Sequence, residues 1–316
     1  MLDVITMGES MVMMIAEQAG PLECATTFSR HLAGAESNVA IGLARLGHKS
    51  GWISAVGEDP FGTYVLDTIC GEGVDNSAVV VLPSYPTGLL IKEQKDVGDP
   101  KVYYYRRGSA ASHYSADLVP KNYFDKAKIL HITGIFPALS EITRQTLLQI
   151  IRHAKKCGLL ISFDPNVRLQ LWSKAEARKT LLEISEMSDV ILPGVAEAEL
   201  LLGTSDWSTV ASSFHEKGNQ YVVMKNGPDG AYYSVKGGSS GYEKGFKVER
   251  VVDTVGAGDG FAVGVLSGIL DQLPIHQAVA RGNAIGSLAV TVRGDYDGYP
   301  SRERLSEYLT MHARKQ

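Results

Sequence analysis

The 316-residue sequence has only three cysteines and no apolar run long enough for a membrane-spanning helix. Cys24, Cys70 and Cys157 lie far apart, which excludes a disulfide framework and the short ligand spacings of a zinc site. The first residues lack the positively charged segment of a secretory signal. These absences predict a soluble protein of a reducing compartment, which we expect to be the cytoplasm.

The sequence also lacks an excess of charge of one sign. Lys and Arg number 31 and Asp and Glu 35, which gives a formal net charge of −4. Because the two signs are interspersed, we expect no nucleic-acid-binding surface. Hydrophobic residues make up 44% of the chain, and this fraction excludes a disordered protein.

Short apolar runs alternate with runs of helical period along most of the chain. Strands are predicted at residues 2–8, 51–56, 129–133, 159–163, 189–192, 221–224 and 246–252. Helices are predicted at residues 37–46, 61–70, 141–157, 174–187, 195–202, 258–270, 275–292 and 302–311. This alternation predicts an α/β protein with a mostly parallel sheet covered on both faces by helices.

Two stretches interrupt the alternation. Residues 16–31 are polar and irregular, and residues 79–107 contain strand-like pieces at 88–93 and 102–106 with no helix between them. They predict either a small antiparallel sheet appended to the main domain or a pair of long surface loops. The three consecutive tyrosines at 103–105 favour a strand.

The segment DTVGAGDG (residues 253–260) precedes an apolar helical run. Gly256, Ala257 and Gly258 can turn their backbone N–H groups towards an anion at the start of the helix. A carboxylate at Asp259 would repel that anion unless it takes a proton from an attacking hydroxyl, which predicts a general base for phosphoryl transfer. The alternative is a glycine turn with Asp259 as a helix-start residue.

Two further segments are candidates for ligand binding. In GAESNVA (residues 34–40), Gly34 permits close backbone approach and Asn38 offers a donor and an acceptor to a polyhydroxylated ligand, although such a segment is also typical of a helix cap. In DPNVR (residues 164–168), Asn166 and Arg168 follow a strand directly, where ligands bind in open α/β sheets. The alternative there is a proline turn with an exposed arginine.

GAESNVAIGLARLG and DTVGAGDGFAVG, in this order and at this separation, resemble the two signatures of the ribokinase-like (PfkB) carbohydrate kinases. DPNVRLQLW resembles a segment shared by fructokinases and 2-keto-3-deoxygluconate kinases. YYRRGSAAS (residues 104–112) and RGDYDG (residues 293–298) are most similar to the latter group. The resemblance covers the whole chain and implies a Rossmann-like core with a small β-sheet lid, which we expect from about residues 11–32 and 79–112 of one domain.

The resemblance also implies roles for individual residues. Asp259 is the expected catalytic base, and Gly256, Ala257 and Gly258 form the anion hole. The expected substrate-binding residues are Gly34, Ala35, Glu36, Ser37, Asn38, Leu89, Tyr104, Tyr105, Arg106, Arg168, Asp259 and Asp295. The expected ATP-binding residues are Asn166, Arg168, Lys225, Gly227, Gly230, Gly256, Ala257, Gly258 and Asn283.

The chain departs from the family pattern at the expected magnesium site. The family often has Asn-x-x-Glu after the strand at 189–192, whereas here Gly194 replaces the asparagine and Glu197 remains. Glu197 is expected to act on Mg²⁺ indirectly, through water; the alternative is an exposed helix residue. The cofactors implied are ATP and Mg²⁺, with a monovalent cation such as K⁺ as a further expectation.

The implied activity is ATP-dependent phosphorylation of 2-keto-3-deoxygluconate at its 6-hydroxyl. A fructokinase or another sugar kinase of the family is the second hypothesis. A sugar- or nucleotide-binding regulator that has lost turnover is the third, and the retained Asp259 argues against it, because a pure binder needs no base. The expected partners are a sugar acid and ATP, with no nucleic acid or membrane, and a homo-oligomer is allowed for.

Overall fold

The computed structural model describes residues 2–95, 101–120, 122–125 and 127–313. Thirteen strands lie in this described part of the chain. In chain order they are β1 (Val4–Met7), β2 (Met11–Ala19), β3 (Phe28–Ala33), β4 (Ser50–Gly57), β5 (Asp75–Leu82), β6 (Leu89–Gln94), β7 (Val102–Tyr105), β8 (Ile129–Thr133), β9 (Leu160–Asp164), β10 (Val190–Ile191), β11 (Tyr221–Lys225), β12 (Gly230–Val235) and β13 (Ser240–Lys244).

Nine α-helices lie in the same described ranges, none of them long and apolar enough to cross a membrane. They are α1 (Ala35–Arg45), α2 (Pro60–Gly71), α3 (Glu141–Lys156), α4 (Lys174–Glu186), α5 (Val195–Leu202), α6 (Trp207–Lys217), α7 (Ala257–Leu270), α8 (Ile275–Ala289) and α9 (Arg302–Ala313). The predicted helices are all present, with ends shifted by three residues or fewer.

Nine strands form a large sheet in the order β13-β12-β11-β10-β9-β8-β1-β4-β5. The seven strands from β11 to β5 pair in parallel, and β12 and β13 extend this sheet as an antiparallel hairpin. The predicted mostly parallel α/β sheet is therefore confirmed. Because all the parallel strands end at one edge, the loops that follow β1, β8, β9 and β11 meet there.

Helices cover both faces of this sheet, as predicted. On one face Leu147 of α3 and Phe214 of α6 pack with Ile5 of β1 in a single apolar cluster. On the other face Val39 of α1 and Val263 of α7 pack with Val4. Alternate residues of β1 thus enter two separate cores, which is why the strand is apolar throughout.

The remaining four strands form a separate small sheet in the order β3-β2-β6-β7. Its expected second segment, residues 79–112, begins too early, because residues 79–82 belong to β5, which pairs in parallel with β4 at the edge of the large sheet. The irregular stretch at residues 16–31 contains the end of β2 and part of β3, which pair with each other. The small sheet is confirmed, and its boundaries are corrected.

The hairpin β12–β13 was missed in the sequence, and the strand predicted at residues 246–252 is wrong. β13 ends at Lys244, and the following segment joins no ladder. Val251 and Val252 are both exposed, so this segment has no buried apolar face of the kind that fixes a strand in a sheet. This segment is the extended connection that leads into α7.

Candidate active site

Asp259 lies in the first turn of α7, as the sequence predicted. Gly256 precedes the helix with a left-handed φ of 77°, and Asp259 is only 9% exposed. The amide of Asn38 donates to its Oδ2 at 2.9 Å, and the amide of Asn166 lies 3.4 Å from its Oδ1. Residues from three distant motifs therefore meet at one carboxylate.

The surroundings of Asp259 raise the pKa of its carboxyl group above the usual value. Burial, assisted by the nearby Asp164 carboxylate, raises the pKa of its carboxyl to about 6. The hydrogen bond from Asn38 and the charges of Arg168 and Lys225 oppose this shift. A pKa near neutrality suits a general base, because the group is mostly unprotonated yet still accepts a proton.

A second carboxyl, that of Asp295, lies beside Asp259. The amide of Asn38 also reaches Asp295 Oδ2, at 3.5 Å. Burial and the negative charge of Asp259 raise the pKa of Asp295 to about 7. Oδ1 of Asp295 and Oδ1 of Asn38 are buried and have no hydrogen-bond partner among the described residues. Orphaned buried acceptors of this kind are suited to receive hydroxyl donors of a ligand.

The structure places Glu36 next to Asn38 at the start of α1, in the interior of the protein. Its side chain is fully buried beneath β1, where a Cβ on Gly8 would overlap the carboxyl group. Thr133 Oγ1 donates to Glu36 Oε1 at 2.6 Å, and burial raises the pKa of Glu36 to about 7. Glu36 therefore fixes the start of α1 against the sheet through Oε1, while its Oε2 is buried with no hydrogen-bond partner among the described residues.

The other residues around the start of α1 hold its backbone. Ser37 Oγ donates to the carbonyl of Gly34 at 3.0 Å and accepts from Ser10 Oγ at 2.6 Å. Gly34 is crowded, because a Cβ there would approach both hydroxyls closely. Gly34, Ala35 and Ser37 are all buried. This packing fixes Asn38 in the turn that faces Asp259.

Arg106 is buried and is therefore not a solvated charge at the edge of the small sheet, whereas the adjacent Arg107 is exposed. The Nε of Arg106 donates to Glu9 Oε2 at 2.6 Å, and the Nη2 of Arg106 pairs with the same oxygen. Ser109 Oγ donates to Glu9 Oε1. Glu9 is 2% exposed, so the guanidinium is held rigidly by a buried acid that follows β1.

The predicted tyrosines divide between the two faces of the small sheet. Tyr104 lies on the same face of the small sheet as Arg106. The Cζ atom of Arg106 is 5.8 Å from the centre of the Tyr104 ring. Leu89 pairs with Tyr105 across β6 and β7, so these two share the opposite face. Leu89 packs there against the cluster that contains Val12. The structure therefore corrects the expectation that Leu89 and Tyr105 line the same site as Arg106.

Lys225 is the last residue of β11 and pairs with Asp164 at 2.6 Å. Burial lowers the pKa of Lys225, but the carboxylates of Asp164 and Glu197 outweigh it and raise the pKa above its usual value. A Cβ on Gly258 would lie 3.9 Å from Lys225 Nζ, so the ammonium group lies beside the predicted anion hole. This arrangement places a paired lysine beside the start of α7.

The remaining ATP-binding candidates occupy the neighbouring loop and helix. Gly227 and Gly230 have φ values of 56° and 128°, so glycine is needed there for the backbone turn itself. The Asn283 amide donates to the carbonyls of Glu243 and Lys244 at 3.0 and 3.2 Å, which ties α8 to β13. Asn283 thus holds the β12–β13 hairpin against α8.

Glu197 is half-buried, which excludes the alternative of an exposed helix residue. Its Oε1 accepts from the N–H of Val167 at 2.8 Å, and its Oε2 accepts from the N–H of Gly194 at 2.7 Å. It therefore holds the loop that carries Asn166, whose φ of 36° is unusual for a residue with a side chain. Arg168 follows in the same loop and is exposed.

Comparison with known proteins decides the family. The model of the pfkB family of carbohydrate kinases matches residues 1–302. The chain belongs to this family. It is 48% identical to the 2-dehydro-3-deoxygluconokinase of Bacillus subtilis (strain 168), over 99% of this chain and 98% of that protein. It is 33% identical to the 2-dehydro-3-deoxygluconokinase of Thermoproteus tenax, over 98% of this chain and 94% of the relative.

Among solved structures, the chain resembles an Escherichia coli protein provisionally named Ribokinase II, in complex with ATP and Mg²⁺. The TM-score is 0.92 at 28% identity, over 99% of this chain and all of that one. That structure thus holds ATP and Mg²⁺ on this fold. The ribokinase-like fold predicted from the two signatures is confirmed.

Four residues of the candidate site were missed or undervalued in the sequence. Glu9, Lys92, Thr133 and Asp164 are all buried and hold other site residues through ion pairs or hydrogen bonds. Glu9, Thr133 and Asp164 lie within two residues of the ends of β1, β8 and β9. That position was the available signal, because polar residues where parallel strands end share one edge of the sheet. No sequence signal indicated Lys92.

The turn that leads into α7 depends on Gly256 and not on Gly258. A Cβ on Gly256 would overlap the backbone carbonyl of Asp295, and its φ is left-handed, whereas Gly258 has an ordinary φ and open space. We expect Gly256→Ala to lower both the melting temperature and kcat, since backbone must move at the turn. Gly258→Ala is the matched control and should leave the melting temperature unchanged. Equal melting temperatures for both variants would contradict this assignment.

Proposed function

We propose that the protein phosphorylates 2-keto-3-deoxygluconate at its 6-hydroxyl, with ATP as the donor. The observation that carries the proposal is the convergence of Asp259 with Asn38, Asn166 and Asp295 beside the N-terminus of α7. In the proposed reaction the 6-hydroxyl oxygen forms a bond to the γ-phosphorus, the bond from that phosphorus to ADP breaks, and Asp259 takes the hydroxyl proton. The hydroxyl then becomes a stronger nucleophile as it attacks.

The other residues of the site act through position and charge. We infer that the backbone N–H groups of Gly256, Ala257 and Gly258 would face the transferring phosphoryl group at the positive end of α7, where the N–H of Ala257 lies 3.4 Å from the carbonyl oxygen of Thr254, and that Lys225 adds a cation beside them. Asn38 and Asn166 hold the carboxylate of Asp259 in place. Catalysis of this kind rests on orientation and electrostatic stabilisation.

The described residues fit Mg²⁺ as a companion of ATP and not as a resident ion. They contain no group of three or more His, Cys, Asp or Glu residues that could hold a metal. Both oxygens of Glu197 are engaged by backbone N–H groups. Mg²⁺ characteristically keeps several waters and binds through substrate phosphates, where it neutralises charge. Glu197 would act on it only by positioning the loop at Asn166.

The acid group of the sugar is proposed to bind Arg106. Its Nε and Nη2 face Glu9, which leaves Nη1 as the group available for a substrate carboxylate. Tyr104 lies on the same face of β7 and covers the guanidinium. A buried, pre-oriented arginine loses little freedom when it binds an anion, and this supports an acidic sugar.

Fructose is the second candidate, and one observation favours it. Glu9 already neutralises Arg106 in this structure, so the pair presents no net charge to a ligand. The experiment that separates the candidates measures ADP release with 2-keto-3-deoxygluconate, fructose, ribose and adenosine at equal concentrations. The proposal requires the largest kcat/KM with the sugar acid. A larger value with fructose would replace it.

We propose that the small sheet acts as a lid over the sugar. Arg106 and Tyr104 lie at its β7 strand, next to the end of β1 that carries Glu9. Closure would exclude water and limit ATP hydrolysis. We expect hydrogen exchange of β2, β3, β6 and β7 to slow when the sugar binds. Equal exchange with and without sugar would show a rigid platform.

Activity should depend on pH through the buried carboxyl cluster. Asp259 acts as a base only when unprotonated, and burial raises its pKa to about 6. We expect kcat/KM to rise with pH through this value and then to level off, with the midpoint shared by the coupled Asp295. Asn38→Ala should move the midpoint to higher pH, because it removes a hydrogen bond that stabilises the charged form. A profile that is flat from about pH 5 to 7 would exclude Asp259 as the base.

Three further expectations are proposals with simple tests. A cytoplasmic location is supported by the free thiols of all three cysteines, and fractionation tests it. A requirement for K⁺ is tested by replacing K⁺ with a bulky organic cation in the assay. A homo-oligomer is tested by light scattering in solution.

A further inference from the structure

Lys92 and Asp253 form a buried ion pair between the small sheet and the segment of residues 253–258, here called the anion-hole loop. Lys92 Nζ lies 2.6 Å from Asp253 Oδ2, and the two side chains are 6% and 11% exposed. The residues are 161 positions apart in the chain. Because each buried charge has the other as its partner, removing one leaves an uncompensated charge and is costly. The pair is therefore a strong, specific connection between the two parts.

Asp253 also shapes the loop that follows it. Its Oδ1 accepts from the backbone N–H of Val255 at 3.2 Å. Gly256 comes next with its left-handed φ, and α7 begins at Ala257. The carboxylate of Asp253 thus holds one side of the turn that directs the anion-hole amides, while its other oxygen is held by Lys92.

Lys92 is well placed to hold that oxygen. β6 lies inside the small sheet, hydrogen-bonded to β2 on one side and β7 on the other. Leu90 and Lys92 alternate onto the same face of β6, and Leu90 pairs with Tyr104 of β7. The ammonium group therefore extends from the face that also carries Tyr104 and Arg106. One rigid surface would contact both the sugar and the phosphate loop.

We propose that Lys92 is a positioning residue for phosphoryl transfer: it orients Asp253 and, through it, the backbone amides of residues 256–258. The inference rests on the proposed use of these amides for the transferring phosphate. It links the position of the small sheet to the geometry of the anion hole. A merely structural ion pair would affect folding stability without a selective effect on kcat.

The first test compares Lys92→Met with the conservative Lys92→Arg. We expect Lys92→Met to lower kcat by roughly 30-fold with KM for ATP changed by less than about threefold, because the amides act mainly in the transition state. Lys92→Arg should restore most of kcat. The matched control is Lys217→Met, which breaks the surface pair of Lys217 with Glu186. A kcat for Lys92→Met equal to that of this control would overturn the proposal.

The second test asks whether the two residues act as a unit. Asp253→Asn should lower kcat on its own, and adding it to Lys92→Met should cost little more, since residues that act together are not additive. Fully additive losses would overturn the proposal. The assay uses whichever sugar the wild-type protein phosphorylates, so failure with 2-keto-3-deoxygluconate alone would reject the proposed substrate and leave this test intact.

The third test needs no sugar and no turnover. In the full-length protein without ligands, we expect Lys92→Met to speed hydrogen exchange at the backbone amides of residues 255–258, while those of β11 exchange at the wild-type rate. This result would show that Lys92 orders the loop even if the variant loses activity for another reason. Unchanged exchange in the loop would overturn the proposal independently of the function.

Discussion

Asp259→Asn is expected to abolish turnover while ATP binding stays nearly intact. The asparagine keeps the shape of the side chain and one acceptor for Asn38, but it cannot take the proton of the attacking hydroxyl. Loss of a general base costs roughly 100-fold or more in kcat. The measurement is ADP release at saturating ATP and sugar. This is the largest single effect that we expect at the site.

The controls for this variant test whether it is folded and whether it still binds ATP. Its melting temperature should rise on addition of ATP and Mg²⁺ by the same amount as that of the wild-type protein, because a ligand that binds the native state stabilises it by mass action. A variant that binds ATP but does not turn over would establish the chemical role of Asp259. Near-normal kcat would exclude it as the base.

The second large effect is expected at Arg106. If its guanidinium binds the acid group of the sugar, Arg106→Ala should raise KM for 2-keto-3-deoxygluconate by about tenfold or more, since a hydrogen bond to a charged group contributes about 1.5–3 kcal/mol. Residual activity on neutral sugars should barely change. Arg107→Ala is the matched control, because Arg107 is adjacent but exposed.

The partner of Arg106 requires a second variant. Arg106→Ala leaves the buried carboxylate of Glu9 without its cation, which could disturb the fold by itself. The pair Glu9→Gln with Arg106→Met removes both charges and keeps similar volumes. It should show the same selective rise in KM for the acid. Equal losses on acid and neutral sugars in both variants would reject the carboxylate-binding role and favour fructose.

Much of the fold was predictable because its strands are short apolar runs buried on both faces. β1, β4, β8, β9 and β11 all have this character. The hairpin β12–β13 was not predictable in the same way, because its edge strand β13 is half-exposed and polar. A strand was predicted wrongly at residues 246–252, because the alternation of apolar residues is visible in a sequence, whereas the absence of a neighbouring strand to pair with is not.

The sequence by itself determined the α/β class, the family signatures, the glycine turn before α7 and the candidate base, Asp259. These features depend on local patterns: apolar period, glycine spacing and a carboxylate in the first turn of a helix. Only the tertiary structure decided which polar residues face one another. Glu36 is buried under Gly8, Leu89 and Tyr105 lie on the face of the small sheet opposite to Arg106, and Lys92 reaches Asp253. Such pairings depend on strand register and on contacts between parts distant in the chain, and no local pattern specifies them.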